Sequence, residues 1–177
     1  MDLLAIQLGR ARVPGYVLAF AAWLALLAVL FHALRSYLVG FFMMPLAGVA
    51  EAALSMLGMP ASLGDPYASA GFVLLSIGSI VYRVTFECTG IFALLLCSAS
   101  ILAFPVPLTK RLQGLLMAGP AFVAYSALRL IIMGVVAYLS PEHIDLFHLY
   151  VMVVANVGFV LALWLYWLRT TVDAEAS

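Results

Sequence analysis

Apolar residues run almost unbroken from Val13 to Leu34, "VPGYVLAFAAWLALLAVLFHAL", and again over roughly Gly90 to Leu108, Leu112 to Leu139 and Leu146 to Leu168. Each run is long enough for one crossing, because a helix needs roughly 20 apolar residues to span the hydrocarbon of a bilayer. The joints between the last three are short and polar, "TKR" and "SPEHID". The pattern predicts an all-α polytopic membrane protein with about four transmembrane helices in one integral-membrane domain, residues 1–177, six spans being the alternative. The first run is too long for a signal-peptide core and is followed by no clear small-x-small cleavage site, so it is expected to remain as an anchor.

Between the first two runs the pattern changes twice. "SYLVGFFMMPLAGVAEAALSMLG" is apolar but interrupted by Pro45 and Glu51, and Glu51 and Ser55 share a face at four-residue spacing. A helix lying in the outer interface is expected there, a second crossing by residues 36–58 being the route to six spans. In "IVYRVTFE", Ile80, Tyr82, Val84 and Phe86 alternate with Val81, Arg83, Thr85 and Glu87, the period of a strand with one wet face. "GFVLLS" precedes it, and Gly78 with Ser79 suits a two-residue turn. The result is an expected short β-hairpin just before Cys88, outside the hydrocarbon because an open sheet in lipid leaves backbone groups unpaired.

Composition removes the soluble alternative: 67% of residues are hydrophobic, 9% are charged and the mean hydropathy is +1.18, too little polar surface to face water. Eight basic and eight acidic residues cancel and no basic run occurs, so nothing points to nucleic acid. The positions of the charges matter more than their sum. Arg10 and Arg12, Lys110 and Arg111, and Arg169 flank run ends that fall on one side if the N-terminus is cytoplasmic, whereas "SPEHID" holds two acids and no Lys or Arg. Both termini of a multi-pass cell-membrane protein are then expected inside, with Cys88 on the extracytoplasmic face.

Cys88 stands where the strand hands over to a helix, a position at which unpaired N–H groups and the positive helix end stabilise a thiolate, and Glu87 opposes this if it faces the sulfur. Cys97, nine residues on, would lie about 13 Å away along one helix and on its opposite face, beyond the roughly 7 Å at which Cα atoms can be bridged. It is expected to be a packing cysteine. Arg129 lies in "FVAYSALRLIIMGVVAY" with no other charge in its span, and a mid-membrane Arg costs roughly 3 kcal/mol unless it faces the bundle interior or snorkels toward an interface. Ser126, three residues earlier, is placed to bond that guanidinium or a substrate carbonyl, or its own backbone. His32 and His143 fall at or beyond helix ends and are read as interfacial. His148, in the first turn of the last run, is at the same outer depth as Cys88. Thiol, imidazole and guanidinium together serve acyl transfer: Cys forms the covalent acyl intermediate, His moves the proton and Arg orients the carbonyl or stabilises the oxyanion.

From about Pro45 to Trp167 the chain resembles the exosortase and archaeosortase family of membrane cysteine transpeptidases, most closely its short single-domain members. The resemblance rests on "ECTG" from Glu87 to Gly90, on "AFPVPLTKR" closing the next helix, on "SALRLI" around Arg129 and on "LFHLY" around His148. It implies that Cys88 is the nucleophile, Arg129 the substrate-orienting cation and His148 the general acid and base, with Glu87, Thr89 and Ser126 at the bound substrate. It also implies a substrate class: secreted proteins with a C-terminal sorting signal of the PEP-CTERM kind, a short motif followed by a transmembrane helix and a basic tail. The acyl group would pass to a surface or lipid acceptor, with no metal and no cofactor. The chain departs from the family pattern in two places, at Ser126, where Asn is usual, and at Val151 with Met152, where a small residue is common.

Three other classes stand beside this one. A non-enzymatic assembly or transporter subunit would use Arg129 to pair with a partner helix. A thiol oxidoreductase lacks a second cysteine near Cys88. A membrane metalloprotease lacks HExxH and has its three histidines far apart in sequence.

Overall fold

The computed structural model describes residues 13–173, so Arg10 and Arg12 lie outside the described residues. Helix α1, Val13–Leu38, runs through a π-helical turn, Val39–Met43, directly into α2, Met44–Met56, making one apolar rod from Gly15 to Met56. The turn has a local cause. Pro45 has no N–H to offer Phe41 and its ring would collide with that carbonyl, and just before it the Met44 N–H reaches back five residues to Val39. The Pro45 segment is therefore a continuation of the first helix rather than a separate interfacial one. It is also a core element: Leu46, Ala47, Ala50 and Leu54 are buried, while the α1 part of the rod presents apolar side chains outward.

Three strands follow, β1 Ala61–Tyr67, β2 Phe72–Ile77 and β3 Ile80–Thr85, in the order β1-β2-β3 with both pairings antiparallel. The register of β2 and β3 runs unbroken from Phe72↔Thr85 to Ile77↔Ile80, and Gly78, at φ 60°, makes the turn with Ser79. Strand β1 was not expected from the sequence, since "ASLGDPY" is rich in turn residues. Its Pro66 is tolerated because β1 is an edge strand, and the pairing slips between Leu63 and Pro66. Val73, Leu75, Ile77 and Val84 form the inner face and pack with Leu54 of α2 and with Leu130 into one apolar core.

Beyond β3 come a four-residue helix, α3 Phe86–Thr89, the left-handed Gly90, and α4, Ile91–Ala103. At 13 residues α4 is about 20 Å long, less than the roughly 30 Å of a hydrocarbon core. Helix α5, Leu108–Leu139, is followed by a 3-10 turn, Pro141–His143, a short α6, Ile144–Leu146, a second π-helical turn, Phe147–Val151, and α7, Met152–Asp173. Three stretches, Gly15–Met56, Leu108–Leu139 and Pro141–Thr171, are long and apolar enough to cross a bilayer, which marks the chain as a membrane protein that is mostly helical with a small sheet.

The two ends of the bundle differ. At one, Tyr16 meets Phe104 edge-on at 6.3 Å and Phe104 meets Trp167 at 5.6 Å. There Lys110 Nζ donates to the Thr171 carbonyl at 3.3 Å and Trp167 Nε1 to the Lys110 carbonyl at 3.2 Å. At the other end the Gly78 turn lies against Tyr138, near the close of α5, and the sheet gathers with α3 and the Pro141–Val151 segment. Cys97 is buried among Ile101, Ala118, Trp167 and Leu168, and both cysteines are free thiols.

Candidate active site

Cys88 occupies the third position of α3, a helix that Gly90 stops after one turn. Gly90 has φ 72°, a left-handed conformation strained for any L side chain. A Cβ at this position would lie 3.0 Å from Arg129 Nη1 and 3.0 Å from Asn156 Oδ1, so the missing side chain is also the space through which α5 and α7 bring polar groups up to α3. Cys88 is thus held in its own short turn rather than in the first turn of a spanning helix.

The hydroxyl of Thr85 lies 3.5 Å from Cys88 Sγ, and the sulfur in turn can donate to the Arg83 carbonyl at 3.9 Å. Thr85 stands at the N-cap of α3 yet makes no capping hydrogen bond, its side chain being turned to the thiol instead. A cleft of ≈ 180 Å³ opens beside the sulfur, lined by Tyr82, Arg83, Cys88, Ile144, Asp145 and His148 over a floor of α5 residues that includes Leu130 and Met133. The structure brings Cys88 and His148, sixty residues apart in sequence, to one cavity. Asp145, three residues before His148 and in the same cleft, is close enough for its charge to act on the imidazole.

Arg129 does not line this cleft. It is 5% exposed, packed behind Gly90, and its Nε has no hydrogen-bond partner among the described residues. Its charge still acts on Cys88 and on His148. Asn156 Oδ1 beside it is likewise buried without a partner, as is the hydroxyl of Tyr125, whose ring stacks on Phe159 at 4.2 Å.

The remaining expected residues fall elsewhere. Ser126 donates to the Thr89 carbonyl at 2.8 Å, and Thr89, fully buried, donates to the Phe86 carbonyl at 2.7 Å. The Ser126 hydroxyl ties α3 to α5, while the Thr89 hydroxyl closes a bond within α3 itself. Glu87 is exposed and lines a second cleft of ≈ 310 Å³ with Phe31, His32 and Arg35, though its charge, like that of Asp145, also acts on His148. None of these three lines the cleft that holds Cys88. His143 pairs with Glu142 at 3.2 Å on the surface.

Tyr82 was missed by motif reading. Its phenol is buried without a partner among the described residues, and burial first, then the nearby Cys88, pushes its pKa well above the ordinary range. It therefore stays protonated and able to donate. The inward phase of the "IVYRVTFE" alternation was the available signal. Asp145 and Asn156 had none, because only the fold brings the first into the Cys88 cleft and the second against Gly90, whereas Thr85 is a near neighbour of Cys88 in sequence. Among the described residues no three His, Cys, Asp or Glu side chains converge as a metal-holding group. Comparison with protein-family models, curated sequences and solved structures yields no match to this chain.

Proposed function

We propose that the chain is a membrane-embedded cysteine transpeptidase of the exosortase kind, which cleaves the C-terminal sorting signal of secreted proteins through a thioacyl intermediate. The observation that carries the reading is the shared cleft of Cys88 and His148, with Asp145 at its side and the Arg129 cation buried beneath. A thiol, an imidazole, a carboxylate and a fixed positive charge are the parts that acyl transfer uses.

In this scheme Cys88 sulfur attacks the scissile carbonyl while His148 takes the thiol proton. The tetrahedral oxyanion is stabilised by the Tyr82 hydroxyl and the field of Arg129. His148 then gives the proton to the departing amine as the C–N bond breaks, leaving a thioester on Cys88. An amine or other acceptor at the surface, or water, attacks that thioester and the thiol is restored. The lysine and arginine side chains of the opposite end, Lys110, Arg111 and Arg169, support a cytoplasmic placement of that end and an outer placement of the cleft. A signal helix anchored by a basic tail would then present its scissile bond at the depth of Cys88.

Burial weighs against the subunit alternative, since a guanidinium 5% exposed and packed behind Gly90 is not offered to a partner helix. The deciding experiment is co-expression with a sorting-signal protein: Cys88→Ala is expected to abolish cleavage at unchanged expression. Cleavage that persists in Cys88→Ala overturns the nucleophile and the function with it.

A further inference from the structure

The two edges of the sheet are built differently. On β1 the outer edge carries Asp65, Pro66 and a register slip, the usual devices that keep a strand edge from pairing. On β3 there is neither Pro nor slip, the register with β2 is continuous over six pairs, and no strand pairs with its outer edge among the described residues.

Which groups that edge presents follows from parity. The Gly78 N–H donates to the Pro60 carbonyl at 2.8 Å, on the β1 side, so in β2 Ser76 and Leu74 also point toward β1. Val73, Leu75 and Ile77 then bond to β3, to their partners Val84, Tyr82 and Ile80, as closure of a two-residue turn by Ile77 and Ile80 also requires. The N–H and C=O of Val81, Arg83 and Thr85 are left facing outward. The Arg83 carbonyl is the one that lies 3.9 Å from Cys88 Sγ. The Arg83 side chain does not cover it, because its guanidinium lies over the Phe72 ring at 5.1 Å on the outer face of the sheet.

We propose that the open edge of β3 binds an extended peptide by strand addition and delivers the peptide's carbonyl to Cys88. An added strand lies about 4.8 Å from its neighbour, in the layer where the sulfur already sits against Arg83. A peptide N–H takes the Arg83 carbonyl from the thiol, which frees the sulfur to attack. Successive peptide side chains alternate between the cleft face, toward Tyr82 and Met133, and the outer face, so affinity comes from the backbone and selectivity from every second residue. The inference rests on Cys88 being the nucleophile of the proposed function, and concerns how the substrate backbone reaches it.

The test uses the full-length protein in detergent and a peptide electrophile, acetyl-Ala-Val-Ala-Ala chloromethyl ketone. Cys88 sulfur displaces chloride to form a C–S bond, read as a mass increase on Cys88. Analogues N-methylated at one residue, then at the next, are compared with the parent. Strand addition predicts alternation: one position slows capture roughly tenfold or more because its N–H is bonded to the edge, and the neighbouring position leaves the rate near that of the parent. Arg83→Pro removes an outward N–H without breaking a bond to β2, and is expected to slow the parent probe. Arg83→Ala retains that N–H and is expected to retain the alternation. Equal effects of methylation at both positions overturn the proposal on the wild-type protein, whatever the folding of the proline variant. Alternating capture without cleavage of a sorting-signal protein keeps the edge and removes the transpeptidase assignment, and cleavage with non-alternating capture does the reverse.

Discussion

Two side chains carry sharp consequences at the scale of the residue. Among the described residues the Tyr82 hydroxyl has no partner to lose, so Tyr82→Phe is expected to leave the thermal midpoint unchanged or raise it, because the cost of burying an unpaired donor disappears. If that hydroxyl serves the oxyanion, turnover falls about a hundredfold with KM nearly constant, the size of loss seen when one such donor is removed. A stable and fully active Tyr82→Phe protein would remove the phenol from the mechanism. Gly90 makes the opposite case, a residue whose value is what it lacks. Gly90→Ala is strained by about 1–2 kcal/mol through its left-handed backbone, and its methyl group would press on Arg129 and Asn156. Both the thermal midpoint and cleavage are expected to fall together, measured on detergent-solubilised protein and in the co-expression assay.

At the scale of elements, α3 is placed by what surrounds it rather than by its own four residues. The sheet hands it over from β3, Ser126 holds its last carbonyl, and α2 supports the sheet from behind through Leu54, which is fully buried in the same core as Ile77 and Val84. Leu54→Ala is expected to cost about 2–5 kcal/mol by leaving a cavity, and to loosen the sheet against α5. Thermal unfolding measures the first effect, and faster, less selective alkylation of Cys88 the second. The two π-helical turns, Val39–Met43 and Phe147–Val151, each change the phase of a long helix at the level of the site. One redirects the first helix into the core under the sheet, and the other sets His148 toward the cleft.

For the whole molecule the decisive property is polarity along the bundle axis. Lys110, Arg111 and Arg169 belong to one end, and Cys88, Asp145 and the sheet to the other. In intact cells a membrane-impermeant maleimide is expected to label Cys88 from outside, while Cys97, buried among Ile101, Ala118 and Trp167, stays unlabelled. Labelling of Cys88 that requires permeabilisation would reverse the orientation and exclude an extracytoplasmic cleft.

The apolar runs and the shortage of charge determined by themselves that this chain belongs to a membrane, since no arrangement of such residues can hide them from water. The alternation from Ile80 to Glu87 likewise carried the inward and outward phases of β3, because side-chain direction in a strand has a fixed period of two. What the one-dimensional pattern did not contain was every relation between distant segments. It could not show that "ASLGDPY" becomes an edge strand, since that depends on what lies alongside. Nor could it show that Asp145 stands beside His148 at Cys88, or that Arg129 and Asn156 occupy the space that Gly90 leaves. Those were decided by packing, in which helices and strands settle together and side chains many residues apart become neighbours.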